Sequence, residues 1–182
     1  MKKWMKILLG IFVIGLVGIY IATQTAPWIA LCPGIESRDL KNMNPSLAGK
    51  INEIIKTLDK EGYKYNISSV YRSPEKQMCY YKISKVIKKV TGQKGLTGVS
   101  KGCHNHTVKG KPSSLAIDMH MFSGSMESKA KFYQRLRELA RSKGLKSGGD
   151  FDKSNPLWAK YDLGWDPGHV EIPGCMSMVK KK

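Results

Sequence analysis

Apolar positions along this chain change their period from one stretch to the next. Ile7 to Ala22 is apolar without a single charge, and Trp28-Ile-Ala-Leu31 extends that character. Such a run is close to the shortest that crosses roughly 30 Å of hydrocarbon, so it predicts an export signal, either cleaved or kept as an N-terminal transmembrane anchor. Pro27 directly after Ala26 is an awkward place for a peptidase to cut, which favours the anchor, and Lys2, Lys3 and Lys6 ahead of the run put the remainder of the chain on the outer side. From Ser46 the pattern turns helical, with Leu47, Ile51, Ile54, Ile55 and Leu58 on one face and Gly62 at the end. Tyr63 to Tyr71 alternates and is rich in β-branched and aromatic residues, predicting a strand. Ser73-Pro74-Glu75 opens a helix that runs to about Val90.

Gly92 to Pro112, rich in glycine and lysine, reads as loop, and Ser114 to Phe122 as a buried strand. Ser125 to Lys143 is a basic amphipathic helix with Leu136, Leu139 and Ala140 inward, closed by Gly144; loop and a short strand come next, through Trp165 to Ile172. Helices beside a small antiparallel sheet, with no repeating βαβ unit, predict an α+β domain. The expected division is 1–27 as signal-anchor or signal peptide, 28–45 as linker and 46–182 as the folded domain.

Charge narrows the partners. Lys and Arg number 31 against 14 Asp and Glu, a formal net charge of +17, which calls for an anionic partner. No helix-turn-helix or zinc-finger pattern is present, so nucleic acid is not expected; anionic wall polymers or a membrane surface suit an exported, tethered domain. Its place would be the inner membrane, single-pass, with the domain on the periplasmic, extracytoplasmic side, and a monomer is the expectation. Cys32, Cys79, Cys103 and Cys175 form an even set in a chain leaving the reducing cytoplasm, predicting one or two disulfides with three full pairings open. No Cys-x-x-Cys spacing supports a four-cysteine zinc site.

The histidines carry the chemistry. His104, His106 and His120 lie in one cluster with Asp118, and His169 lies in a second with Asp166 and Glu171. Two imidazoles and one carboxylate around zinc leave a fourth position for water, the arrangement of a hydrolytic rather than a structural site.

Four ordered stretches then resemble one family. They are Ser69-Val-Tyr71-Arg72-Ser73-Pro74-Glu75-Lys-Gln77; a histidine followed by Ser114-Leu-Ala116-Ile-Asp118; Gly144-Leu145 with Gly148-Gly149-Asp150-Phe151; and Trp165-Asp166-Pro-Gly-His169-Val-Glu171. From Ser68 to Ile172 the chain resembles the zinc peptidases of the D-alanyl-D-alanine carboxypeptidase and L-alanyl-D-glutamate endopeptidase family, which includes phage endolysins and vancomycin-resistance dipeptidases. The resemblance implies the hedgehog/DD-peptidase fold, one Zn2+ ion and peptidoglycan stem peptides as substrate. It makes Asp118 and His169 metal ligands. The family's His-x-x-Gly-x-Ala-x-Asp spacing would put the first histidine at Lys111, so an insertion is implied and the third ligand is His106, preferred for its nearness to the strand, or His104.

By the same resemblance Asp166 is the general base and Arg72 binds substrate and stabilises the developing oxyanion, with Ser69, Tyr71 and Gln77 lining the cleft. Glu171 shares a strand face with His169 and is placed to orient its imidazole. Gly10, Gly15 and Gly18 also resemble the weakly packed signal-arrest-release anchors of some endolysins. The competing class is a non-catalytic, zinc-containing wall-binding module on the same fold.

Overall fold

The computed structural model describes residues 31–92, 95–152 and 155–180. The expected transmembrane segment and the signal or anchor at 1–27 lie outside these residues. Among the described residues no helix is long and apolar enough to cross a membrane. The chain divides into two units, one of residues 34–77 and 101–182, the other of 1–33 and 78–100.

In the larger unit, helix α1 (Pro45–Lys60) starts where the Asn44 side chain accepts from Ser46 N at 3.1 Å, with Pro45 in the first turn. Its inward stripe is Leu47, Ile51, Ile54 and Leu58, all fully buried. Helix α3 (Met126–Ser142) is capped by Ser125 and buries Ala130, Phe132, Tyr133, Leu136, Leu139 and Ala140. Gly144, at φ 65°, lets the chain turn back so that Leu145 N reaches Ala140 O at 2.9 Å. Helix α2 (Pro74–Thr91) begins in this unit and continues into the other. Two short helices, α4 (Pro156–Ala159) and α5 (Cys175–Lys180), complete the set among the described residues.

The strands are short: β1 (Glu36–Ser37), β2 (Asn66–Ser69), β3 (Tyr71–Arg72), β4 (Thr107–Val108), β5 (Lys111–Pro112), β6 (Ala116–His120), β7 (Lys146–Ser147) and β8 (His169–Glu171). An antiparallel sheet runs in the order β2-β6-β8-β7, while β1 pairs with β3 and β4 with β5. This is the helices-on-small-antiparallel-sheet architecture that the sequence pattern predicts.

Two details differ from the pattern. The strand predicted over Tyr63 to Tyr71 is split at Val70, whose N–H donates to Ser37 O at 2.8 Å instead of joining the sheet. The stretch read as linker up to residue 45 holds β1 and a 3-10 turn at Leu40–Asn42, because Glu36 and Ser37 pair with Arg72 and Tyr71.

Strand alternation gives the main sheet two unlike faces. Ile117, Met119 and Val170 join the core with the inward stripes of α1 and α3. Asp118, His169 and Glu171, one position out of phase, share the opposite face. Phe132 sits in the core at 0% exposure, stacked on Tyr65 at 5.5 Å and tilted against Tyr63 and Tyr133. Phe132→Ala is expected to lower the unfolding free energy by about 3–5 kcal/mol in urea titration, with α1 and α3 losing their shared filler; a shift within error would mean the core closes over the gap.

Disulfides join Cys103 to Cys175 in the larger unit and Cys32 to Cys79 in the smaller. In the smaller unit Ser84 Oγ accepts from Thr97 N at 2.9 Å, and Gly95 lies so close to Ser84 that a Cβ would come within 2.4 Å of its Cα. The loop after α2 is thereby folded back over the Tyr80 and Ser84 face of that helix.

Candidate metal centre

Register assembles the site. Asp118, in the central strand β6, lies opposite Ser69 on β2 and opposite His169 on β8. His104 reaches the same place from a 3-10 turn, Cys103–Asn105, tied down at both ends. Cys103 is bonded to Cys175, while Asn105 accepts from Gly102 N at 2.7 Å and donates to Arg72 O at 2.6 Å.

His104, Asp118 and His169 form a group able to hold a metal ion. His104 Nε2 lies 3.3 Å from Asp118 Oδ1 and 3.4 Å from His169 Nδ1, and His169 Nδ1 lies 2.7 Å from Asp118 Oδ1. Zinc bonds of roughly 2.0–2.1 Å in a tetrahedron set ligand atoms about 3.3 Å apart, so two of the three edges already have the required length.

Hydrogen bonds prepare the imidazoles. His104 Nδ1 donates to Val70 O at 2.7 Å, a bond that a carbonyl can only accept, so Nε2 is left with its lone pair facing the group. His169 Nε2 donates to Glu171 Oε2 at 3.0 Å and turns Nδ1 inward. Burial works against charge on His169, but bonds to Asp118 and Glu171 push its pKa up, so an ion binding there would displace the proton that Nδ1 shares with Asp118. For Asp118 burial again opposes ionisation, yet His104 and His169 hold the carboxyl well below the usual range. This donor set, two oriented imidazoles and an anionic carboxylate, fits zinc. Glu171→Ala is expected to weaken zinc binding about 10- to 100-fold in competition with a chromogenic chelator, since His169 loses the partner that fixes its tautomer. Unchanged affinity would show that Glu171 plays no such part.

The structure groups His104, and not the sequence-preferred His106, with Asp118 and His169. His106 Nδ1 donates to Ser113 O at 2.8 Å, and the residue lines a separate cavity of about 150 Å³ with Pro74, Lys101, Asn105, Thr107 and Val179. It starts the β4–β5 hairpin, whose turn at Lys109 and Gly110 has both φ values positive. That hairpin supplies the extra residues between the histidine and the strand.

Asp166 is half-buried near the group. Burial, and then the charge of Asp118, raise its pKa above the ordinary aspartate range, while His169, His120 and His104 act the other way. Its carbonyl accepts from His169 N at 3.0 Å, and Gly148 packs on it so closely that a Cβ there would lie 1.9 Å away. His120 turns Nδ1 to Tyr133 Oη at 3.2 Å, and its ring leaves no space for a side chain at Gly168.

Arg72 is 12% exposed and held by three side chains: Nε and Nη2 to Glu36 Oε1, Nη1 to Gln77 Oε1 at 2.9 Å, and Nη2 to Ser69 Oγ at 3.3 Å. Ser69 and Gln77 therefore touch the guanidinium, and Tyr71 is buried beside it in sequence on β3. Sequence reasoning misses Glu36 and Asn105; Asn105 directly follows His104, but Glu36 carries no local signal.

No protein-family model matches the chain, and no curated protein matches it. Among solved structures, one that it is similar to is a vancomycin-resistance D,D-pentapeptidase, VanY from a VanB-type resistance cassette, crystallised as a glutamate-to-alanine mutant in complex with Zn(II). The identity is 17%, 76% of each chain is covered, and the TM-score is 0.44.

Proposed function

We propose that this chain is a zinc-dependent peptidase that hydrolyses peptide bonds in bacterial peptidoglycan stem peptides, of the D-Ala-D-Ala carboxypeptidase or L-Ala-D-Glu endopeptidase type. The observation that carries the reading is the convergence of His104 Nε2, Asp118 Oδ1 and His169 Nδ1, each within 3.4 Å of the next and both imidazoles oriented by outer partners. When bound, zinc would lower the pKa of a water and polarise the scissile carbonyl. Asp166, its pKa raised by burial, takes a proton from the attacking water and returns it to the leaving amine. Arg72, held by Glu36, Ser69 and Gln77, presents a fixed cation to the carbonyl oxygen as charge develops there. The four ordered sequence stretches around Arg72, Asp118, Gly148 and His169 support a wall peptide as substrate, and the net charge of +17 suits an anionic polymer. The site of action in this reading is the outer face of the inner membrane.

The test is to incubate the full chain with peptidoglycan, with zinc or with a chelator, and to identify new termini by mass spectrometry. New amino groups that vanish with chelator are expected, and their identity names the bond. Intact peptides in the presence of bound zinc would instead establish a non-catalytic wall-binding module.

A further inference from the structure

The smaller unit carries a surface that hydrolysis does not use. Its stretch from Met78 to Ser100 contains no acidic residue, and Lys82, Lys85, Lys88 and Lys89 of α2 are all exposed. Helical spacing sets Lys82, Lys85 and Lys89 on the side of α2 away from Tyr80 and Ser84, the two buried residues that the loop after the helix covers. Apolar side chains share this outer side: Val86 is 60% and Val90 53% exposed. Lysine stems beside exposed valines can lie along the apolar edge of a headgroup layer while their ammonium groups meet phosphate.

A covalent bond locates the surface. Cys79, in the same helix, is bonded to Cys32. In sequence Cys32 lies five residues past the expected anchor at 1–27, and no charge occurs between Ile7 and Cys32. With the chain anchored through 1–27, Cys32 lies within about 17 Å of the outer surface, the reach of five extended residues, and a disulfide of 5.6 Å between Cα atoms keeps the Cys79 end of α2 close to it. We infer that the lysine face of α2 is an interfacial contact for anionic phospholipid headgroups, stapled to the membrane by the Cys32–Cys79 disulfide. The occupant is lipid rather than wall polymer because the tether fixes the surface to the bilayer and because a soluble polyanion has no use for exposed Val86 and Val90. The inference rests on reading residues 1–27 as a membrane anchor, and not on zinc hydrolysis.

The full chain is reconstituted in nanodiscs of neutral phosphatidylcholine and in nanodiscs containing phosphatidylglycerol, and lysine acetylation is followed by peptide mass spectrometry. Lys82, Lys85, Lys88 and Lys89 are expected to react about threefold more slowly in the anionic discs, because the negative headgroup potential raises the amine pKa. The paired Cys32→Ser and Cys79→Ser variant is expected to lose most of that slowing while remaining in the disc. Equal rates in the two lipids would overturn the proposal. So would slowing produced by soluble wall polymer and not by lipid, release of the chain from neutral discs, or full slowing in the serine variant. Zinc content measured on the same samples keeps the two readings apart: lost slowing with full zinc sinks only this inference, and lost zinc with retained slowing sinks only the catalytic one.

Discussion

His104→Ala is expected to abolish stoichiometric zinc binding, while His106→Ala leaves it intact. The two histidines lie two residues apart on one loop, so the pair separates position from composition. His104 offers Nε2 to Asp118 and His169 at 3.3 and 3.4 Å, whereas His106 is bonded to Ser113 O and lines another cavity. If zinc sites contribute roughly 10–16 kcal/mol shared over four ligands, one ligand carries about 3–4 kcal/mol, or on the order of 10²–10³-fold in affinity. Isothermal titration with zinc, alongside metal content after dialysis, reads both variants. A folded His104→Ala protein that still binds one zinc as tightly as the parent would remove the proposed centre. Weakening by His106→Ala alone would restore the ligand that sequence favours.

That pair of histidines also marks where the sequence ceases to be legible. Asp118 and His169 are readable because each sits in a short strand whose spacing to its neighbours is undisturbed, and strand alternation puts Glu171 beside His169. His104 is hidden by the β4–β5 hairpin, which inserts residues between the histidine and the strand. Its arms are two residues each, too short to show alternation, and its turn is Lys109-Gly110 instead of the stronger Asn-Gly signal. The α1 and α3 helices are legible from their inward stripes. Glu36 is not, since its pairing with Arg72 spans 36 positions and depends on β1 joining β3. The disulfide pairing stays open in sequence for the same reason: separations of 47 and 72 residues are set by the fold and not by any local spacing. What local periodicity encodes is which side chains share a face; which distant stretches meet at that face is decided by packing of the core behind it.

Asp166→Asn is expected to retain zinc and lose turnover by about 10²–10⁴-fold, the range that a positioned proton acceptor contributes. The substitution keeps the side-chain shape and leaves the backbone carbonyl that accepts from His169 N, so the metal ligands keep their places. It removes only the ability to take a proton. In the parent, burial and the neighbouring Asp118 carboxylate hold the Asp166 pKa above the ordinary aspartate range. The base must be ionised to act, so kcat is expected to fall as pH drops through that raised value, and this acid limb should disappear from the residual rate of the variant. The measurements are kcat against pH on a defined stem peptide and zinc content by mass spectrometry. Equal turnover in Asp166→Asn would transfer the proton to another group. Loss of zinc together with turnover would instead show that Asp166 supports the ligands and is not a base.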